Sequence, residues 1–184
     1  MNIPEYNHFE YGELLATAIK EISHTEKTPR YFRATEVESQ QELTDRFSSV
    51  RAGVILVAID GCNADYGDKK SDNMMERPQY FFLVLKSTEG TNSAKIFESQ
   101  KICKTIARRI IALMSYRDKN YYTSPLQFFD KDSITMRGIG PIGDNWYGVI
   151  LGFNFEYGID MRINKDDWNQ FITTNQGKFI TVNN

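Results

Sequence analysis

The 184-residue sequence is poor in the side chains that bind transition metals or serve as nucleophiles. It has two cysteines, Cys62 and Cys103, and two histidines, His8 and His24, without any Cys-x-x-Cys or His-x-x-x-His pair. The sequence therefore offers almost no ligands for a zinc site built from thiolates or imidazoles. It also offers few histidines and cysteines for a Ser–His or Cys–His catalytic site. We expect reduced thiols, solvated histidines, and no bound metal or cofactor.

Long apolar runs and an excess of one charge are also missing. Lys and Arg number 22 against 24 Asp and Glu, a net charge of −2, whereas a nucleic-acid partner needs a concentrated basic surface. No apolar run approaches the roughly 18 residues of a membrane span. The first residues resemble no secretory signal peptide. We expect a cytoplasmic protein with neither a membrane nor a sequence-specific nucleic-acid partner.

Two segments contain the residue types of a known functional site but lack the spacing or the following secondary structure that the site requires. Residues 138–143 match G-x-G-x-x-G, but a dinucleotide loop opens a helix, whereas this segment leads into the alternating pattern of a strand. The spacing of Asp60, Asp65, Asp68 and Asp72 is not that of a calcium loop. No P-loop and no Gly-x-Ser-x-Gly motif occurs. We therefore expect a hairpin turn, solvated aspartates and no enzymatic activity.

Hydrophobic periodicity predicts one domain over residues 1–184. Asn7 is placed to cap an amphipathic helix. A longer helix, capped by Ser93, presents Cys103 and Ile106 to the core, while its Lys and Arg residues form a solvated face. The expected helices are 8–23, 36–47, 93–116 and 164–175, and the expected strands are 31–33, 54–59, 80–86, 134–139, 146–159 and, as a possible edge strand, Lys178–Val182.

Together these elements indicate an α+β fold. We expect a mixed or antiparallel sheet of about four to five strands, with the two main helices packed on one face. Residues 160–184 are expected to be a C-terminal extension of the same domain, with a short helix and the possible edge strand.

Residues 60–79 are mostly polar and separate two strands that are expected to pair. Loops longer than about 12–15 residues are uncommon in compact domains and are usually functional or disordered. Met74 and Met75 near its end are exposed on the simplest interpretation, and flexible sulfur side chains suit a protein contact; the alternative is that they fold back on the core. The segment is therefore a candidate interaction loop.

The pattern over 146–159 predicts a strand with two unlike faces. Tyr147, Val149 and Leu151 begin a series of large side chains that alternates with a series containing Gly148 and Gly152. Glycines on the second face allow close approach of another backbone. The cause is either a bulge or strong twist, or a neighbouring subunit that lies across the sheet.

The order of these elements resembles that of the tail terminator and minor tail proteins of long-tailed bacteriophages. The segment that carries most of the resemblance is 134–157, ITMRGIGPIGDNWYGVILGFNFEY. The resemblance implies a non-enzymatic phage or prophage protein that forms a ring at the head-proximal end of the tail. Its implied partners are copies of itself, tail-tube proteins and head-completion proteins, and its implied location is the host cytoplasm and then the virion tail.

Under this hypothesis, segment 60–79 and the glycine-bearing sheet face are the assembly surfaces, because heterologous contacts that close on rotation make rings. The residues assigned to them are Asp60, Asp65, Tyr66, Met74, Met75, Gly148, Gly152 and Asn154. The alternative hypothesis is a small-ligand or peptide-binding module. Its pocket between sheet and helices would be lined by Tyr80, Phe82, Trp146 and Tyr147.

Overall fold

The computed structural model describes residues 5–35, 40–47, 49–50, 52–68, 74–117, 120–143, 145–159, 171–175 and 178–182. The helices are α1 (His8–Ala18), α2 (Gln40–Phe47) and α3 (Ser93–Met114). The strands are β1 (Tyr31–Ala34), β2 (Val54–Asp68), β3 (Met74–Ser87), β4 (Phe129–Ile142), β5 (Trp146–Phe155), β6 (Tyr157–Gly158), β7 (Phe171–Asn175) and β8 (Lys178–Val182).

Six of these strands form one mixed sheet, which confirms the predicted α+β class. The strand order is β1-β2-β3-β5-β4, and the short β6 lies beside the start of β3. Only β1 and β2 run parallel; the other neighbours are antiparallel. Leu56 lies opposite Val84, and Val84 lies opposite Val149, so three apolar runs stand side by side at the centre of the sheet.

The two main helices pack on one face of the sheet, as expected. The α1 residues that point to the sheet are His8, Gly12, Leu15 and Ala16, and their spacing follows one side of a helix. The buried residues of α3 are Ser99, Cys103, Ile106, Ala107, Ile110 and Met114. They pack on Phe82, Leu151 and Phe153 of the central strands. Each large apolar side chain buried here stabilises the fold by about 1.5–3 kcal/mol.

The opposite face of the sheet carries a second apolar cluster. Ile55, Val57, Leu83 and Leu85 point to this face and pack with Leu43 of α2, Ile142 and Trp146. Because β2 and β3 bury side chains on both faces, their sequences are continuous apolar runs and not alternating ones.

Asparagine side chains cap both main helices. Asn7 Oδ1 accepts a hydrogen bond from the Glu10 amide at 3.1 Å, as predicted. The predicted cap of α3 was wrong by one residue: Asn92, not Ser93, accepts from the amides of Ala94 and Lys95. Helix α1 also ends at Ala18 and not near residue 23.

The hairpin β4–β5 confirms the expectation for the glycine-rich motif. Residues 138–142 lie within β4, with a cis peptide between Gly140 and Pro141, and extended backbone resumes at Trp146 after the turn. A phosphate-binding loop would need helical backbone in that place.

The predicted helix over 164–175 is wrong where the structure describes it. Residues Phe171–Asn175 form β7, which pairs antiparallel with β8 in a separate two-stranded sheet. The strand predicted at Lys178–Val182 is present, but it pairs with β7 and not with the main sheet. Residues 160–170, and residues 36–39 of the predicted second helix, lie outside the described residues.

Candidate assembly surface

The segment expected to be a long loop is a two-stranded ribbon over most of its length. We define the ribbon as residues 60–68 of β2 and 74–79 of β3; residues 69–73 between them lie outside the described residues. Ala64 pairs with Pro78, and Asp68 pairs with Met74. Beyond Ile59, β2 has left β1, and within the described ranges no strand lies beside residues 64–68 except β3. The ribbon therefore projects from the sheet with one long edge open.

A bulge explains why the sequence of the ribbon resembles that of a loop. Asp60 pairs with Tyr80 and Ala64 with Pro78, so three residues of β2 oppose the single residue Gln79. Cys62 takes up the positive φ of 53° within this bulge, and its amide donates to Asp60 Oδ1 at 2.9 Å. Such bulges bend a strand and increase its twist, so turn-forming residues occur inside a continuous β-ribbon.

The β3 strand of the ribbon is attached to the chain that follows β5. Tyr157 and Gly158 pair with Glu76 and Met75, and Arg77 Nε lies 3.1 Å from Glu156 Oε1. Because β6 lies beside β3 here, Met75 is half-buried, and Met74 is half-buried as well. Full exposure of these methionines was the expectation, and the structure corrects it.

Polar side chains bridge the two strands of the ribbon. Tyr66 donates its hydroxyl hydrogen to Glu76 Oε1 at 2.8 Å, and the carboxylate raises the pKa of Tyr66. Gln79 Nε2 donates to Asp65 Oδ2 at 2.9 Å. The Tyr66 side chain is nevertheless 61% exposed. The structure thus brings Asp65, Tyr66 and the methionines together on one projecting element.

The glycine positions of β5 do not form an open surface. A Cβ atom on Gly148 would lie 1.9 Å from the carbonyl oxygen of Val84, so the close backbone belongs to β3 of the same chain. At Gly152 such an atom would lie 2.7 Å from Thr135 Oγ1 and 3.0 Å from the Phe81 ring. Both glycines are buried. The close approach at Gly148 is therefore made within the chain's own sheet, and the open glycine face expected for a neighbouring subunit is absent at these two positions.

Asn154 belongs to the interior of this sheet region. It is half-buried, and its amide donates to Ser133 Oγ at 2.8 Å in the bulge of β4. The assembly residues assigned from the sequence therefore separate into a projecting set on the ribbon and an internal set on β5.

The four aromatic residues assigned to a ligand pocket do not line a common cavity. Tyr80, Phe82 and Tyr147 are at most 8% exposed, and Trp146 is 6% exposed. Tyr80 and Phe82 fill the core on the helix side, whereas Trp146 packs in the cluster on the opposite face. Side chains of adjacent strand residues point to opposite faces, so this pocket prediction is wrong.

His8 is buried, so the expectation of a solvated histidine is wrong at this position. The ring is 2% exposed and lies 4.9 Å from the Tyr80 ring and 4.4 Å from the Phe82 ring, centroid to centroid. Its Nε2 lies 3.0 Å from the Phe81 carbonyl oxygen, and Nδ1 lies 3.1 Å from the Tyr6 hydroxyl. Burial lowers the pKa of His8 to about 4, against a smaller opposing effect of the Phe81 hydrogen bond. His8 is therefore neutral, with Nε2 donating and Nδ1 accepting.

Other features of the surface concern α1 and α3. Leu14 and Leu113 are 68% and 52% exposed. A shallow cavity of about 420 Å³ lies between the two helices, lined by Leu15, Ala18, Ile19, Lys20, Arg109, Ile110 and Leu113.

In the part of the chain that the structure describes, no group of three or more His, Cys, Asp or Glu residues is placed to hold a metal ion.

No protein-family model matches the chain, and no curated protein matches it in sequence. Separately, the helices within the described ranges include none that is both long and apolar enough to cross a membrane.

Proposed function

We propose that this chain is a non-enzymatic assembly protein that associates with copies of itself through the ribbon. The specific form that we propose is a tail terminator or neck component of a phage or prophage. The observation that carries the proposal is the ribbon itself, which extends beyond the sheet with an open edge at residues 64–68.

The open edge is unusual for a protein that works alone. An edge strand presents unpaired N–H and C=O groups, which readily pair with another chain. In this ribbon, Asp65 and Tyr66 on the outer strand are exposed, and the base is held by the ion pair of Arg77 with Glu156. A supported base with an exposed outer strand suits an arm that contacts a neighbour.

Contacts made by such an arm are heterologous, because the arm of one copy meets a different surface of the next copy. Heterologous contacts close into a ring when the rotation between copies divides a full turn, and otherwise form filaments. As a tail terminator, the ring would meet tail-tube proteins on one side and head-completion proteins on the other. The alternative of a ligand-binding module has no comparable support, since Tyr80 and Phe82 fill one core, Trp146 fills the other and Tyr147 is buried as well.

The test removes the distal ribbon while preserving its base. Residues 66–76 are replaced by Asn-Gly, because Asp65 and Arg77 face each other across the strands and a two-residue turn can join them. This change leaves the Arg77–Glu156 pair and the Asp65–Gln79 hydrogen bond in place, and it removes the strand partners of Tyr157 and Gly158. We expect the shortened protein to fold and to elute as a monomer. The full chain, whose monomer mass is 21.3 kDa, is expected to form a larger species.

Size-exclusion chromatography with light scattering measures the mass, and negative-stain electron microscopy distinguishes closed rings from filaments. A matched pair of substitutions tests the exposed outer strand: Tyr66→Ala at 61% exposure, and Tyr122→Ala at 69% exposure as the control away from the ribbon. Only the first is expected to weaken association. A full-length monomer at every concentration, or an unchanged oligomer after ribbon removal, contradicts the proposal.

A further inference from the structure

The outward side of α3 carries a basic stripe, which we define as Phe97, Lys101, Lys104 and Arg108. Their spacings of four, three and four residues place them on one side of the helix, opposite the buried residues such as Cys103. All four side chains are exposed, and Phe97 is 69% exposed.

The cations of the stripe differ from their neighbours on α3 in their ion pairs. Lys95 and Arg109, on the flanks of the same helix, form ion pairs with Glu89 and Glu21. Across the described ranges, Lys101, Lys104 and Arg108 have no ion pair. Like charges three or four residues apart on a helix repel each other. An acidic partner would remove this repulsion.

The ribbon has the complementary charge. Residues 60–68 and 74–79 contain four acidic residues and one basic residue, whereas residues 93–114 contain five basic residues and one acidic residue. The basic residue Arg77 of the ribbon is already engaged by Glu156. Asp65 is exposed, and Glu76, which lies opposite Tyr66 on the neighbouring strand, is half-buried. The ribbon also presents the exposed ring of Tyr66, as the stripe presents that of Phe97.

The two surfaces lie toward opposite ends of the molecule. Helix α3 starts soon after β3 ends at Ser87, and Gln100 Nε2 lies 3.5 Å from the Ile139 carbonyl oxygen. The helix then runs back along the sheet, so that Ser115 is contacted by Lys131, near the other end of β4. The ribbon extends beyond that other end. The stripe starts at Phe97 in the first half of α3 and reaches Arg108 in the second half, so its start lies at the end of the helix that is remote from the ribbon.

We infer that the ribbon of one copy docks on the basic stripe of the next copy. This inference rests on the proposed function and specifies the receiving surface. Carboxylates of the ribbon pair with Lys101, Lys104 and Arg108, and Tyr66 and Phe97 supply apolar contact, since aromatic residues and arginine dominate the energetics of protein interfaces. Because the two surfaces differ and lie apart, the contact is heterologous and leads to a ring or filament.

The experiment reverses the charge of each surface and then of both. The stripe variant carries Lys101→Glu, Lys104→Glu and Arg108→Glu, and the ribbon variant carries Asp65→Lys and Glu76→Lys. A matched control carries Lys20→Glu, Lys27→Glu and Arg137→Glu, three exposed cations elsewhere on the described surface. Light scattering over a concentration series gives the association constant of each protein, and circular dichroism verifies that each is folded.

We expect each reversal to weaken association at least about tenfold, the combined variant to recover most of it, and the control to match the unaltered chain. Association should also weaken when salt rises from about 0.1 M to about 1 M, because the Debye length falls from about 10 Å to about 3 Å. These results together support the inference.

Other outcomes separate the inference from the proposed function. If the unaltered chain forms oligomers and the stripe variant forms the same oligomers, the docking inference is wrong while the proposed function stands. If the stripe variant keeps its oligomers but loses salt-sensitive binding of a single-stranded oligonucleotide, the stripe is a nucleic-acid surface and the inference is overturned. A monomeric unaltered chain overturns the proposed function and the inference with it.

Discussion

Arg77 on β3 lies with its Nε 3.1 Å from Oε1 of Glu156, the residue between β5 and β6. The two side chains are only 28% and 23% exposed. Sequence separation between them is 79 residues, so the pair connects the base of the ribbon to a distant part of the chain. It stands where Pro78 interrupts the hydrogen-bond ladder of β3, since proline has no amide hydrogen.

The first prediction concerns this ion pair. Arg77→Ala should lower the free energy of unfolding by about 1 kcal/mol, because a partly buried, hydrogen-bonded pair is worth more than a solvated one. A double-mutant cycle with Glu156→Ala, followed by urea denaturation, isolates the coupling between the two side chains. The matched control is the pair Lys95–Glu89, whose side chains are 53% and 73% exposed. Equal coupling in the two cycles would show that the Arg77 pair has no special role at the ribbon base.

The second prediction concerns His8 and pH. An unfolded histidine binds a proton near pH 6.5, whereas burial lowers the pKa of His8 to about 4 in the folded protein. Between these values the unfolded state holds the additional proton, so stability rises with pH and is lost as the pH falls from 6.5 toward 4. The slope should reach about 1.4 kcal/mol per pH unit, a total on the order of 3 kcal/mol.

The control for His8 is His8→Gln, whose side-chain amide can still donate to the Phe81 carbonyl but does not titrate. Thermal or urea unfolding at several values between pH 5 and pH 7 gives the two slopes. The difference between them is the contribution of His8, because other titrating groups are common to both proteins. Parallel curves for the two proteins would mean that His8 is not buried in its neutral form.

Local patterns were sufficient to predict much of the fold. The alternation that begins at Tyr147 predicted β5, and the apolar runs predicted the centres of β2 and β3. Asn7 predicted the start of α1. Each of these signals lies within a few neighbouring residues. The ribbon was not predictable in this way, because its bulge contains turn-forming residues and its pairing depends on a partner strand.

In the candidate site, too, some features follow from local sequence spacing and others depend on a distant strand. His8 stands four and seven residues before Gly12 and Leu15, so helical spacing already placed it on the buried side of α1. The rule that adjacent strand residues point apart also excluded a pocket shared by Trp146 and Tyr147. The internal role of Gly148 could not be inferred, because it depends on the Val84 carbonyl of a neighbouring strand.

The third prediction concerns the two thiols. Cys62 is exposed, whereas Cys103 is buried and burial raises the pKa of its thiol to about 12. Since the thiolate is the reactive form, Ellman's reagent should modify one thiol in the native protein and two after denaturation in urea. Cys62→Ser should abolish the native reaction, and Cys103→Ser should leave it unchanged. Rapid modification of both thiols without denaturant would place Cys103 outside the core.

The fourth prediction separates an internal glycine from an exposed one. The Cβ of Gly148→Ala would meet backbone atoms of β3, at 1.9 Å from the Val84 oxygen and 2.9 Å from the Leu85 Cα. Backbone in a central strand cannot move aside without disturbing its own hydrogen bonds. We expect a loss of stability of about 3 kcal/mol or more, at the upper end of the range for overpacking.

The control is Gly67→Ala in the ribbon, where the added atom would lie 3.3 Å from Nη1 at the end of the flexible Arg77 side chain. Its effect on the free energy of unfolding should stay within about 0.5 kcal/mol. Urea denaturation of both variants at a concentration where the chain is monomeric removes any contribution from association. If Gly148→Ala is as stable as Gly67→Ala under these conditions yet assembles poorly, then Gly148 belongs to a contact between subunits and the internal role assigned to it is wrong.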